Sequence, residues 1–503
     1  MYISLILAVL LAGSTAAFLS RTREQARMIA VASSWAALLI SILMFINYEP
    51  ANGLNNFREF YEWIPRIGIN YHVGVDGVSL PMVLLTAIVS AFCAVYAWDE
   101  KHRANQFFAL LLLMNFSLIG VFVSLDFFLF YIFWELVLIP MFFLIGIWGG
   151  PRKDYSAIKF LIYTHVASVV MLLGIFALYY FHGKTTGVYT FDIVMLLSAY
   201  QTLPLPSFWR EFIFAALLFG FLVKMPAVPF HTWLPDAHVE APTVGSILLA
   251  GVLLKMGGYG LFRFLIPMIP NASHLFIYAI ALFGLISILY APIAALAQPD
   301  IKKLIAFSSI GHMGFISLGV AAFMAAGAEV PRIFAASGAM FQLFAHGIIT
   351  SVLFGSAGII EHHTGTRIIQ DLGGLTKKMP KFAFLMIIGF FASMGFPGMM
   401  GFVAEFSILA GSYPQLPYIV IAAMLSIPFT AGYHLWAVQR AMFGPYNEHL
   451  GNVTDLTWYE FTAMAAWVLL IIALGLYPMP LFEVMHSTAA QFITILPSGG
   501  IVP

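Results

Sequence analysis

The chain has 503 residues, 61% of them hydrophobic and only 9% charged, against about 25% charged in ordinary soluble domains. Its 23 basic and 23 acidic residues cancel, which leaves no electrostatic footprint for nucleic acid. The single cysteine, Cys93, excludes an internal disulfide and a multi-cysteine metal site, and a mean hydropathy of +0.93 describes a multi-pass membrane protein.

The first apolar stretch, MYISLILAVLLAGSTAAFLS, comes before Arg21, Arg23 and Arg27. A cleavable signal carries its positive charge ahead of the apolar core, so this stretch reads as a span with the N-terminus outside. At about 20 apolar residues per crossing, fourteen spans follow in chain order: 2–19, 28–47, 77–97, 106–123, 125–148, 157–181, 212–234, 245–266, 274–297, 301–324, 332–357, 382–410, 417–442 and 460–482. With the N-terminus outside, fifteen Lys and Arg fall in inside loops and six outside, while Lys224 and Lys255 lie within spans. That asymmetry puts both termini on the outer side, as expected for a bacterial inner membrane. The connections 48–76, 182–211 and 358–381 are too short for domains of their own. The first, with its FREFYEWIPRIG run, is expected to cap the outer face.

The expected fold is all-α and polytopic, a single membrane domain over 1–503. Helices 1–3 occupy 1–105, a first repeat 106–266 and a second 274–442, with the last span at 460–482. The repeat is suggested by two interruptions. The seventh span breaks at KMPAVPF and the twelfth at SMGFPGMMGF, where proline and glycine cannot keep the helical ladder intact. Paired discontinuous helices in corresponding halves are the sequence trace of an inverted transporter repeat.

Four ionisable residues fall deep inside spans: Glu135, Lys224, Lys255 and Glu405. Each costs roughly 2.5–3.5 kcal/mol at mid-membrane, about 10 kcal/mol together if they faced lipid. They are therefore expected to face the bundle interior, where a moving carboxylate can switch a lysine between binding and releasing a proton. Glu135 is the candidate partner of Lys224; a static buried pair that only fixes helix register is the plain alternative. His312 and His346 are candidate relay members because histidine titrates near neutral pH. His165 and His434 read more simply as helix–helix hydrogen bonds. His231, Asp236, His238 and Glu240 form a polar inner mouth, since His-x6-His across a proline is poor spacing for a metal, and no metal site is expected.

The stretches KMPAVPFHTWLPDAHVEAPT, GSILLAGVLLKMGGYG, FWELVLIPM and DIKKLIAFSSIGHMG resemble the antiporter-like membrane subunits of respiratory complex I, the NADH–quinone oxidoreductase. The resemblance covers essentially the whole chain. HVGVDGVSLPMV and the carboxylate in FPGMMGFVAEF look like the subunit M branch; the two sister subunits carry a lysine where this chain has Glu405. The resemblance implies fourteen helices in two inverted five-helix repeats and no cofactor in this subunit, with NADH, FMN, Fe–S clusters and quinone held elsewhere in the complex. It implies Glu135 and Lys224 as a switching pair, Lys255 as the link between half-channels, Glu405 in the outward half, and His312 and His346 between them. The implied partners are protons, lipids and other complex I membrane subunits, including both sisters. The competing reading is a subunit of a multisubunit cation/proton antiporter without redox coupling.

Overall fold

The computed structural model describes residues 1–200, 205–268 and 274–496. The part of the 182–211 connection at 201–204 lies outside the described residues. Each of the fourteen expected spans overlaps helix, and the seventh and twelfth are interrupted, between Lys224 and Trp233 and between Ser393 and Met400. In chain order these are α1 (Tyr2–Phe18), α2 (Arg23–Ile46), α3 (Ser79–Tyr96), α4 (Ala104–Val123), α5 (Phe127–Leu136), α6 (Leu138–Trp148), α7 (Lys153–Thr186), α8 (Ile193–Tyr200) and α9 (Ser207–Lys224). There follow α10 (Trp233–Glu240), α11 (Thr243–Leu248), α12 (Lys255–Gly260), α13 (Ile266–Met268), α14 (His274–Leu296), α15 (Ile301–Met324) and α16 (Glu329–Thr364). The chain ends with α17 (Pro380–Ser393), α18 (Met400–Ser412), α19 (Pro417–Met424), α20 (Ser426–Met442), α21 (Trp458–Leu476) and α22 (Met479–Ile493). Among the described residues eleven helical stretches are long and apolar enough to cross a membrane, and α1, α17 and α18 are shorter apolar helices. The apolar central stretches of α15, α16 and the α11–α13 segment are wholly buried, whereas α2, α20 and α21 present apolar faces outward.

Three departures from expectation have local causes. The fifth span divides into α5 and α6 at Val137, because Pro140 has no N–H to give Leu136. The last span ends at Leu476, and Pro478 and Pro480 open a separate helix, α22, which returns across the bundle end. There Gly77 N–H donates to Thr488 Oγ1 at 3.1 Å and Gln491 Nε2 donates to Pro50 O at 3.2 Å. The 48–76 connection is a β-hairpin, with β1 (Glu59–Ile64) antiparallel to β2 (Ile69–Val73). An EFYEWI strand with alternating side chains and a turn at Gly68, where φ is +69°, account for it.

The two broken helices share one hydrogen-bond pattern. At the end of α9, Met225 N–H bonds Phe221 O and Ala227 N–H reaches back to Leu222 O. At the end of α17, Met394 N–H bonds Phe390 O and Phe396 N–H reaches back to Phe391 O. In this register Lys224 corresponds to Ser393, not to Glu405, which sits beyond the break on α18. The element before each half's second helix also matches. Asp126 caps α5 through Phe128 and Leu129 N–H and bridges to Asp192. Asp300 caps α15 through Lys302 and Lys303 N–H and bridges to Ile368. These caps lie at opposite ends of the bundle, as an inverted repeat requires.

Candidate functional site

The site is built on α12, α15, α16 and α18, and it begins with a defect in a helix. Between α11 and α12 lies a π turn, Leu249–Leu253, in which Leu254 N–H bonds Leu249 O instead of Ala250 O. Lys255 Nζ donates to Ala250 O, the carbonyl that has lost its regular donor. π turns cluster at functional sites because they aim one side chain away from the regular helical direction. A second, Leu261–Leu265, follows α12.

Close backbone packing then delivers Lys255 to its neighbour. Gly251 in the π turn lies against Gly347 of α16, where an added Cβ would sit 2.7 Å from Gly251 O. The adjacent residue on α16, His346, has its Nδ1 2.7 Å from Lys255 Nζ. The His346 and His312 rings lie 5.4 Å apart, centre to centre. His312 Nδ1 is 2.8 Å from Glu405 Oε1, and its Nε2 is 3.2 Å from Ser393 Oγ. Lys255, His346 and His312 are all buried, and the Glu405 side chain is 14% exposed.

A small cavity bounded by His312, Gln342, His346, Ser393 and Glu405 bridges the two histidines. It has room for about one water molecule. His346 Nε2 and Gln342 Oε1 are buried and without a protein partner. Buried polar groups of this kind are held by ordered water or used in chemistry, so the cavity offers a bridge across the gap between the rings. The Glu405 carboxylate is set by the second helix break. Gly395 has φ +77°, and an added Cβ there would meet Glu405 Oε2 at 3.2 Å.

The first half is arranged differently from expectation. Lys224 ends α9, where the helix dipole favours a cation, and is 1% exposed. Its Nζ has no hydrogen-bond partner and lies 5.2 Å from the Trp134 ring centre and 6.0 Å from that of Phe160. Val223 O, stripped of its helical donor by the break, accepts from Trp233 Nε1 at 3.0 Å. Glu135 does not form an ion pair with Lys224 here. Its oxygens are held by Ser168 Oγ and by His165 Nδ1 at 2.7 Å. A gap therefore separates Glu135 from the unpartnered Lys224 Nζ. His165, read from sequence as helix glue, is the histidine that engages Glu135, with its side chain 54% exposed.

The polar mouth has more depth than the sequence suggests. Asp236 pairs with Lys159 at 2.7 Å, and Glu240 accepts from Arg152 N–H at 2.9 Å. His231 is buried against Tyr290 and Phe307. His238 lies fully inside, stacked on Phe354 at 4.3 Å, with both ring nitrogens unpartnered and with Lys302 and Lys255 as its charged neighbours. Lys302, counted from sequence as a loop charge, is 1% exposed and donates to Ala241 O at 2.6 Å. An open vestibule lined by Glu240, Lys302, Glu361 and Arg367 leads to this point. His434 stays off the axis, its Nδ1 tied to Thr430 O of its own helix at 2.8 Å. Nothing in the sequence distinguishes His238 from the surface residues of its run, so sequence reasoning left it in the mouth.

A bundle with two broken helices, and a buried file of lysine, histidines and carboxylate between them, defines an antiporter-like membrane protein. The chain belongs to the NADH:quinone oxidoreductase/Mrp antiporter transmembrane family, whose model matches residues 124–430. It is 46% identical over 501 residues to the F(420)H(2) dehydrogenase subunit M of Methanosarcina mazei, covering 99% of each chain. It is 38% identical over 467 residues to the NADH-quinone oxidoreductase subunit M of Rickettsia conorii, covering 92% of each. Among solved structures it is similar to a chain of respiratory complex I from Thermus thermophilus, with TM-score 0.88 and 28% identity over 99% of this chain and 100% of that one. A chain of the Mrp complex from a Dietzia species matches with TM-score 0.84 at 19% identity, covering 99% of each, a likeness of fold alone.

Proposed function

We propose that this chain is the subunit M type of proton-translocating membrane subunit in a quinone-reducing oxidoreductase, and that protons move through it along Lys255, His346, His312 and Glu405. The observation that carries the reading is the succession of close contacts among these four side chains, which come from four different helices. A proton enters from the positive, inner side through the vestibule at Lys302 and reaches Lys255 by way of His238. Lys255 passes it to His346 Nδ1. His312 receives it across the cavity and delivers it to Glu405, which serves the outward half. Both termini then lie on the outer side.

Lys224 and Glu135 gate this traffic. In the observed arrangement they are apart, with Lys224 over aromatic rings and Glu135 held by His165 and Ser168. Closing the pair favours charged Lys224; opening it favours release of its proton. Glu135 and His165 sit on a partly exposed face, where the cost of intramembrane charge calls for cover by another membrane subunit of the complex.

Electron transfer belongs to other subunits. The Methanosarcina and Rickettsia relatives are named for different electron donors, F420H2 and NADH, so the donor is set by the complex around this chain. The alternative, a cation/proton antiporter without redox coupling, draws on the Dietzia fold match. The subunit M relatives, at 38–46% identity over more than nine-tenths of the chain, favour the redox-coupled reading.

The test is Lys255→Met in the assembled complex, with donor–quinone turnover and proton pumping measured separately. Pumping should fall while assembly holds. Wild-type pumping per electron would remove Lys255 from the path.

A further inference from the structure

At the rim of the vestibule that opens on Lys302, His362 and His363 at the end of α16 meet Glu460 in the first turn of α21. His362 Nδ1 lies 3.2 Å from Glu460 Oε1, and His363 Nε2 lies 3.1 Å from Oε2 and 3.3 Å from Oε1. The three sets of ligand atoms all fall within 4.8 Å of one another. Adjacent helical residues ordinarily diverge, so two neighbouring histidines turned onto one carboxylate is a specific arrangement. Neither the family axis nor the helix break uses them.

We propose that His362, His363 and Glu460 form a binding site for a borderline transition-metal ion of the Zn2+ class. The separations suit it. A tetrahedral zinc with ligands about 2.0–2.1 Å away has ligand–ligand edges of about 3.3 Å. Two imidazoles and a carboxylate are a zinc-type donor set, whereas magnesium prefers oxygen alone. Three protein ligands leave a fourth position for water.

The surrounding contacts also suit it. Metal-binding histidines hold their second nitrogen in a hydrogen bond, and His363 Nδ1 lies 3.3 Å from Thr454 Oγ1. Ligating carboxylates are oriented by further donors. Glu460 Oε2 accepts from Thr457 N–H at 2.9 Å and from Thr457 Oγ1 at 2.7 Å, the capping box of α21. Oε1 is left facing both histidines. Glu460 and His363 are nearly buried, and the His362 side chain is 61% exposed, which gives the ion an entry side. His362 and Glu460 line the same vestibule as Glu240 and Lys302. An ion here ties α16 to α21 at the rim of that opening.

The purified complex, stripped with chelator and dialysed against graded ZnCl2, is compared with the same complex carrying His362→Asn or Glu460→Gln. Bound zinc is counted by elemental analysis. The glutamine keeps an oxygen for the Thr457 cap, and the asparagine replaces a largely exposed ring, so both complexes should assemble. Each variant should lose one zinc per complex or bind it at least about tenfold more weakly, and excess Mg2+ should not displace it. Zinc counts and affinities equal to the wild type in either assembled variant would overturn the site and leave any bound zinc adventitious.

Discussion

His346 is the middle of the proposed path, and His346→Leu removes it with little change in bulk. The substitution leaves Lys255 Nζ with Ala250 O as its hydrogen-bond partner and deletes the 2.7 Å contact to the ring. A hydrogen bond to a charged group is worth about 1.5–3 kcal/mol, so the charged lysine becomes roughly ten- to a hundred-and-fiftyfold harder to populate. The larger effect is the missing carrier. A positioned proton-transfer group contributes about 10²–10⁴-fold, and among the described residues the cavity beside His346 is lined by no titratable side chain other than the next two members of the path, His312 and Glu405. In inverted membrane vesicles, dye-reported acidification per electron should fall while the complex still assembles. The internal comparison is His434→Leu. That ring is equally buried but bonded to its own helix at Thr430, so pumping should be unchanged. Normal pumping in His346→Leu, or equal losses in both variants, would refute the reasoning.

Other expectations rest on single contacts. Glu405→Gln keeps an acceptor for His312 Nδ1 but cannot carry the proton; assembly should be normal and pumping per electron lowered, read in the same vesicles. Gly395→Ala forces a left-handed conformation on an L-residue, costing about 1–2 kcal/mol, and crowds Glu405 Oε2; the melting temperature of the detergent-solubilised complex should drop and pumping weaken. Gly347→Ala places a methyl 2.7 Å from Gly251 O, so it should separate Lys255 from His346 and reduce pumping without touching an ionisable group. Glu135→Gln should slow pumping through Lys224 even though the two are apart here; wild-type rates with normal assembly would leave Glu135 a structural residue.

Much of this architecture is written in composition. Spans follow from apolar length, and both helix breaks follow from proline and glycine placed in apolar runs. The axis residues stand out because Lys255, Glu405, His312 and His346 are polar where lipid-like sequence should not be. What escaped has a physical reason in each case. The π turn that aims Lys255 at Ala250 O arises from tertiary packing of Gly251 on Gly347, and no residue in LLAGVLLK announces it. Lys302 reads as a loop charge beside Lys303, yet only Lys302 is drawn inward to Ala241 O. His238 shares its run with Asp236 and Glu240, which do face the mouth, so its burial depends on Phe354 from a distant helix. The match of Lys224 with Ser393 is visible only in the backbone bonds around the breaks, because the two side chains have nothing in common. The hairpin at β1 and β2 was hidden by its shortness and by the expectation of an all-helical chain.

The central claim is that the Lys255-to-Glu405 file carries protons coupled to electron transfer. Its most direct measurement is the number of protons translocated per electron pair in proteoliposomes holding the purified complex, wild type against Lys255→Met. The account predicts a lower ratio in the variant at preserved assembly. An unchanged ratio with normal quinone turnover would contradict it.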